Sequence, residues 1–249
     1  MTTPADGSVR TAAQRLRWFR SPTPSGGRSF TDGVLNTCFN AADRQVAVGR
    51  ADAVALSGPS VADGHCVDLT FAELTAQAAK LAGILRALEV REGDPVLLKL
   101  PTSVELVIAM LAVARLGSSY AIDDSPYLTA GFAVAVSDVV LPMAPLLLVR
   151  GPHQKPAGDE HQRLDYRSLM KSSAIQPAEC VEVPATAPLR LGRQSTGNYL
   201  PLCDNGAHAV ALAQVGAGLE LSTADLDPGT GHPCLAYAPL LVGCASVLP

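Results

Sequence analysis

An alternation of helical and strand patterns between residues 70 and 123 constrains the fold of this chain more than any other feature. The stretch TFAELTAQAAKLAGILRALE opens with Thr70 and Glu73 at capping-box spacing, and its leucines then recur on one helical face. The next apolar run, PVLLKLP at 95–101, is bounded by prolines. Such a run predicts a short buried strand after the helix.

The same alternation continues directly afterwards. Residues 103–116 are apolar almost all round, which predicts a helix buried between layers, and residues 118–123 predict another strand. Successive helix–strand units imply right-handed crossovers between parallel strands. The sequence therefore predicts an α/β fold, a mostly parallel sheet with helices on both faces. We expect one core to bury five apolar side chains of these elements: Leu81, Leu85, Leu97, Ile108 and Leu111.

The rest of the chain gives more scattered signals. Residues 124–162 mix apolar runs with prolines and with the polar tract GPHQKPAGDEHQ, which is typical of a solvated loop. Residues 164–172 predict a helix, and Asp204 or Asn205 is positioned to cap another one. Residues 235–248 predict a helix followed by a strand.

Charge and hydropathy exclude two classes of partner. The 249 residues carry 19 basic and 23 acidic side chains, a net charge of −4, which offers no field to attract nucleic acid or an anionic membrane. The apolar stretches at 104–114 and 133–149 are too short, or too interrupted by polar residues and prolines, to cross a bilayer. We predict neither nucleic acid nor membrane as a partner.

The cysteines indicate a reducing compartment. They form no CxxC motif and have no histidine at metal-ligand spacing, which predicts free thiols and no metal site. The start MTTPADGSVR lacks the apolar segment of a secretory signal, so we predict a cytoplasmic protein. The cysteines are Cys38, Cys66, Cys180, Cys203, Cys234 and Cys244.

The stretch QSTGNYLPLCDNGAHAV, residues 194–210, has the composition of a phosphate-binding loop that runs into a helix. Small hydroxylated residues and glycine allow backbone N–H groups to surround an anion, and a helix N-terminus adds favourable dipoles. Such loops usually also provide a cation, but this stretch contains no lysine.

Several segments, in chain order, resemble the AMP-forming acyl-CoA synthetases, in particular the acetate and propionate ligases. RWFRSPTP at 17–24 is similar to a segment near the start of the family. GVLNTCFNAADRQVAVGRADAVAL at 33–56 is similar to its N-T-C-[YF]-N-x-x-D-R-H stretch, with Gln45 in place of the histidine. The resemblance implies an N-terminal extension at 1–32 and a partial AMP-binding domain at 33–249, without the family's C-terminal half and small mobile domain.

The resemblance also implies a chemistry. Family members activate a carboxylate with ATP, forming an acyl-adenylate and pyrophosphate, and then transfer the acyl group to CoA. The implied ligands are therefore ATP or AMP, Mg²⁺, CoA and a short-chain carboxylate. Because the reaction brings anions together, a phosphate loop, a metal ion and basic side chains must offset the developing charge.

The family's phosphate loop reads approximately T-S-G-T-T-G-x-P-K-G. Its counterpart here retains Ser195, Thr196 and Gly197, which the resemblance identifies as nucleotide-binding positions. Gln194 replaces a glycine where the backbone approaches phosphate closely, and the family's lysine has no counterpart. We therefore expect weak anion binding at this loop.

A second family motif, approximately A-[SD]-D-x-G-W-x-x-G-H, is similar to residues 223–232. Asp225, Gly231 and His232 match it and complete the set of candidate cofactor-binding residues, whereas Pro228 replaces the tryptophan. The resemblance assigns no catalytic residue to this chain.

These departures predict an AMP-binding fragment, a pseudoenzyme that cannot activate a carboxylate by itself. One alternative is half of a split ligase, completed by a partner chain or a full-length paralogue. Another is the product of a decayed gene, or a non-catalytic interaction module.

Overall fold

The structure is a computed structural model that describes residues 11, 13–22, 30–122, 131–143, 145–154, 163–216 and 237–249. The strands in these ranges are β1 Val34–Leu35, β2 Val54–Pro59, β3 Cys66–Thr70, β4 Pro95–Lys99, β5 Ser119–Ile122, β6 Val134–Ser137, β7 Leu146–Leu148, β8 Arg163–Asp165, β9 Val183–Pro184, β10 Pro188–Arg193, β11 Tyr199–Asp204 and β12 Ser246–Val247. The α-helices are α1 Phe71–Ala87, α2 Val104–Arg115, α3 Tyr166–Lys171, α4 Asn205–Gly216 and α5 Tyr237–Leu241, and π-helical turns span Phe39–Asp43 and Val46–Arg50.

The main sheet is seven-stranded, in the order β11-β10-β5-β4-β6-β7-β8. Its neighbouring strands are parallel except for the antiparallel pair β10–β11. A smaller sheet has the order β12-β2-β3, and β1 pairs with β9. The prediction of an α/β fold with a mostly parallel sheet is confirmed.

The two predicted helices begin where their caps indicate. The Thr70 hydroxyl accepts a hydrogen bond from the Glu73 backbone N–H, and the Glu73 carboxylate accepts one from the Thr70 N–H at 2.9 Å. The hydrogen bond from the Thr70 N–H, and then the one from its hydroxyl, hold the pKa of Glu73 below its ordinary value. The Ser103 hydroxyl similarly accepts from the Leu106 N–H and starts α2. Local sequence therefore determines both helix starts.

Replacing Thr70 with alanine should lower the free energy of unfolding by about 1 kcal/mol, because the N-terminus of α1 loses its hydroxyl acceptor. Thr70→Ser is the matched control and should retain most of the stability, as followed by urea denaturation. Because the pKa of Glu73 is lowered in the folded state, the contribution of this carboxylate is present at neutral pH and is lost on acidification. Equal stabilities of the alanine and serine variants at neutral pH would contradict a role for the cap.

The described residues form two core clusters on opposite faces of the main sheet. On β4, Val96 and Leu98 belong to the larger cluster, whereas Leu97 belongs to the smaller one. Alternate residues of a strand point to opposite faces, so the expectation that Leu97 joins the same core as the helices is wrong. The smaller cluster contains no helical side chain among the described residues. The other four predicted core residues lie in the larger cluster as expected: Leu81, Leu85, Ile108 and Leu111.

The middle of the chain contains more strand than its sequence indicates. β6 and β7 lie within the segment 124–162, for which the sequence predicts no element bounds. Each has only three or four residues, too few to show a periodic pattern, and each becomes a strand by pairing with its neighbours.

The predicted elements nearer the C-terminus are confirmed where they are described. In α3, the Asp165 side chain accepts from the Ser168 N–H at 2.8 Å, so the predicted helix at 164–172 is present. α4 begins after Asp204, whose side chain accepts from the Ala207 N–H at 2.6 Å. The predicted helix and strand near the C-terminus correspond to α5 and β12. None of the helices in the described ranges has both the length and the hydrophobicity that a bilayer crossing requires.

Candidate functional site

The predicted phosphate loop is the turn of the hairpin that joins β10 and β11. The Gln194 N–H donates to the Asn198 carbonyl at 2.7 Å, and the Gly197 N–H donates to the Gln194 carbonyl at 2.8 Å. Gly197 has a φ of +87°, a left-handed conformation that favours glycine. This pattern is typical of a three-residue hairpin loop with a bulge at its glycine. The hairpin by itself accounts for the glycine at position 197.

The turn lies far from the helix that follows it in sequence. β10 is parallel to β5, so the turn is at the carboxyl edge of the sheet, and β11 then runs back to the opposite edge before α4 begins. A six-residue strand spans roughly 20 Å. The N-terminus of α4 therefore cannot direct its N–H groups at the turn. The expectation of a loop that runs directly into a helix is wrong, because strand β11 separates them.

Two backbone N–H groups of the hairpin turn are already hydrogen-bonded within the turn. A phosphate cradle needs several backbone N–H groups directed at the ligand, whereas those of Gln194 and Gly197 are used within the turn. Ser195 and Thr196 are exposed at the tip, where water competes for their polar groups. No lysine occurs between Gln194 and Asp204. Exposed Arg193, at the end of β10, is the nearest cation in the sequence.

The other three candidate residues, Asp225, Gly231 and His232, lie outside the described residues. The structure therefore places Ser195, Thr196 and Gly197 in one turn. The second motif stays a prediction from the sequence.

Directly after its turn the hairpin packs into the protein. The Tyr199 ring meets Phe132 edge to face at a centroid distance of 4.8 Å, and both rings pack on the smaller core cluster. On the next element, His208 is buried and its Nδ1 lies 3.5 Å from the Cys203 Sγ. The His208 ring also meets Tyr237 edge to face. These contacts fit a packing role for His208.

The structure brings together a group of potential metal ligands that the sequence does not show. The ligand atoms of Cys38, Asp43 and Cys180 all lie within 4.8 Å of one another. Sequence reasoning missed this group because no two of its members share a metal-binding motif. With two sulfur ligands and one carboxylate, it does not fit Mg²⁺, which prefers oxygen ligands.

Comparison with known proteins identifies a family and several relatives that this chain resembles. A family profile described as AMP-binding enzyme matches residues 43–143. The acetyl-coenzyme A synthetase of Xanthomonas campestris is 34% identical, over 95% of this chain and 45% of that protein. The rat mitochondrial acyl-CoA synthetase short-chain family member 3 is 26% identical, over 95% of this chain and 42% of that protein. The chain thus spans less than half the length of these curated relatives.

The fold has a counterpart among solved structures. The crystal structure of a Brucella canis acyl-CoA synthetase superposes with a TM-score of 0.69 at 20% sequence identity. The match covers 98% of this chain and 47% of that one.

Proposed function

Because the chain belongs to the AMP-binding superfamily of acyl-CoA synthetases, we propose that it is a fragment resembling acetyl- and propionyl-CoA synthetases that cannot activate a short-chain carboxylate on its own. We assign residues 33–249 to the partial AMP-binding domain and residues 1–32 to an extension. The hairpin turn carries this proposal, because its Gln194 and Gly197 N–H groups bond within the turn.

The energetic argument starts from charge. Adenylation brings a carboxylate and a polyphosphate together, and the removal of a single well-placed donor from such a site typically lowers the rate by roughly 10²–10³-fold. The hairpin lacks the family's lysine and uses two N–H groups internally. These two features support the proposal that the hairpin does not hold ATP for adenylation and that the chain is a pseudoenzyme.

The direct test is ATP–pyrophosphate exchange by the purified chain with Mg²⁺ and either acetate or propionate. We expect no exchange above a protein-free blank. A full-length acetyl-CoA synthetase assayed in parallel is the positive control. Robust exchange that purifies with this chain would overturn the proposal.

Nucleotide binding gives a second measurement. We expect ATP to bind the isolated chain no better than about 1 mM, roughly −4 kcal/mol, and to bind more weakly as salt is added. Calorimetry at two salt concentrations checks this, because exposed contacts are screened. Micromolar, Mg²⁺-dependent binding by the unmodified chain would contradict it.

A charge placed at the turn tests its geometry. We expect Gln194→Gly/Asn198→Lys to bind ATP no more than about fivefold better than the matched Gln194→Gly/Asn198→Gln, since one exposed charge contributes about 1 kcal/mol or less. A micromolar Kd of the lysine variant for ATP would contradict this expectation and would indicate that the turn retains the phosphate-binding geometry of the family.

One observation favours a second candidate, half of a split short-chain acyl-CoA ligase. Leu200 and Leu202 are each 53% exposed on β11, the edge strand of the main sheet as described. An apolar edge strand is a favourable surface for association with another chain. The proposed partner is a chain or full-length paralogue that supplies the remainder of the ligase.

Sedimentation after coexpression with a full-length paralogue tests this candidate. We expect Leu200→Lys/Leu202→Lys to abolish a complex and Val247→Lys, exposed on β12, to retain it. A monomer that forms no complex argues against a split enzyme.

The described cysteines have free thiols, which supports a proposed location in the reducing cytoplasm.

A further inference from the structure

Away from the hairpin, three side chains from two distant segments converge beside α2. Cys38 immediately precedes the helical turn that ends at Asp43, and Cys180 lies in the segment before β9. We propose that Cys38, Asp43 and Cys180 form a binding site for a thiophilic divalent cation, and that Zn²⁺ is the ion that fits it.

The ligand spacing fits tetrahedral coordination. Zn–S bonds of about 2.3 Å and a Zn–O bond of about 2.1 Å place sulfur and oxygen ligands about 3.6 Å apart in a tetrahedron. The Asp43 Oδ2 lies 3.6 Å from the Cys180 Sγ and 3.9 Å from the Cys38 Sγ. The two sulfurs are within 4.8 Å of each other, so small side-chain movements suffice for a common ion.

The backbone around these ligands is fixed by hydrogen bonds. The Asn36 side-chain amide donates to the Ala114 carbonyl at 3.0 Å and to the Val181 carbonyl at 2.9 Å. The Val181 N–H in turn donates to the Arg115 carbonyl at 3.0 Å. The segments that carry Cys38 and Cys180 are therefore both attached to the end of α2, and the ligands are held before an ion arrives.

Arg115 completes the charge balance. Its Nη1 donates to the Asp43 Oδ2 at 2.7 Å and its Nη2 to the Asp43 Oδ1 at 2.8 Å, while Nη1 also lies 3.6 Å from the Cys38 Sγ. Two thiolates and one carboxylate carry three negative charges, which Zn²⁺ and the guanidinium together neutralise. Arg115 can keep its bond to Oδ1 while Oδ2 binds the ion, as an outer partner that orients a ligand.

Ligand chemistry selects the metal. Sulfur ligands favour Zn²⁺ over Mg²⁺ or Ca²⁺, which prefer oxygen. Three protein ligands leave a fourth coordination position to water or an added ligand. Cys38 is buried, but the Asp43 side chain is 19% exposed and Cys180 is partly exposed, so an ion has a path from solvent.

Thiol protons compete with the metal. The hydrogen bond with Cys38, and then burial, raise the pKa of the Cys180 thiol. The charged groups facing the thiols are Asp43 and Arg115, with the Glu179 carboxylate 3.9 Å from the Arg115 Nη2. Binding of Zn²⁺ requires both thiols to lose their protons, and the ion itself favours that loss.

The test is competition for Zn²⁺ between a chromogenic chelator and the reduced, metal-stripped full chain. We expect one bound Zn²⁺ per chain, and at least tenfold weaker binding by Cys38→Ser and by Cys180→Ser. The matched control is Cys66→Ser/Cys244→Ser, which removes two exposed thiols and should leave the strong site intact.

A second readout separates loss of ligands from loss of fold. Zn²⁺ should raise the Tm of the unmodified chain and of the control variant but not of Cys180→Ser, with circular dichroism confirming that each metal-free variant is folded. Absence of stoichiometric Zn²⁺ binding, or binding unaffected by both serine substitutions, would overturn the proposal. So would a Cys38–Cys180 disulfide in the purified chain that, once reduced, takes up no Zn²⁺.

Discussion

Replacing Arg115 with methionine is expected to lower the free energy of unfolding by about 3–5 kcal/mol, because it leaves the partly buried Asp43 carboxylate without its cation. Arg115 is 3% exposed and makes the two short contacts to Asp43 described above. Its Nε also donates to the Ala178 carbonyl at 2.5 Å, so the side chain attaches the segment before β9 to α2. Urea denaturation of the metal-free protein measures the loss.

The electrostatic environment of Arg115 supports the sign of this effect. Burial lowers the pKa of the guanidinium, but the hydrogen bond to Asp43 and the nearby Cys38, Cys180 and Asp43 groups raise it, and the net shift is upward. A raised pKa means that the folded state stabilises the charged form at every pH below the ordinary value for arginine. The contribution should therefore be the same across the neutral range.

Arg115→Lys is the matched control for charge. Lysine retains the positive charge but lacks the planar fork that contacts both Asp43 oxygens and the Ala178 carbonyl. We expect a stability between those of the unmodified and methionine proteins. A methionine variant within 1 kcal/mol of the unmodified chain would show that the pair contributes little to the fold.

Replacing Glu105 with leucine is expected to lower the free energy of unfolding by about 3 kcal/mol. The carboxylate is 3% exposed and accepts from the Ser60 hydroxyl at 2.6 Å and from the Val61 and Ala62 N–H groups at 3.0 Å each. Leucine would leave the Val61 and Ala62 N–H groups without this acceptor, whereas the Ser60 hydroxyl can still donate to the Asp63 carboxylate at 3.0 Å. One unsatisfied buried donor costs about 1–3 kcal/mol. Glu105 also lies in the first turn of α2, where the helix dipole favours a negative charge.

Two further variants separate the acceptor role from side-chain size. Glu105→Gln keeps one oxygen acceptor and should lose less stability than the leucine variant. Glu92→Leu changes an exposed glutamate and should stay within about 0.5 kcal/mol of the unmodified chain. Equal losses for Glu105→Gln and Glu105→Leu in urea denaturation would contradict the hydrogen-bond explanation.

The sequence by itself determined the elements whose signals are local. Helices α1 and α2 follow from their caps and periodic apolar residues, and β4 follows from a short apolar run between prolines. Strand β5 follows from its place after α2 in the helix–strand alternation. The order of family-like segments likewise indicated the acyl-CoA synthetase superfamily, because each segment is contiguous in the chain.

Only the tertiary structure decided features that depend on pairing between distant segments. The separation of Leu97 from the helical core, the strands β6 and β7, and the hairpin that contains Ser195 all require knowledge of which strands are neighbours. The approach of Cys180 to Asp43 joins residues 137 positions apart. Spacing along a chain does not report such contacts, because they are fixed by how the sheet and helices pack.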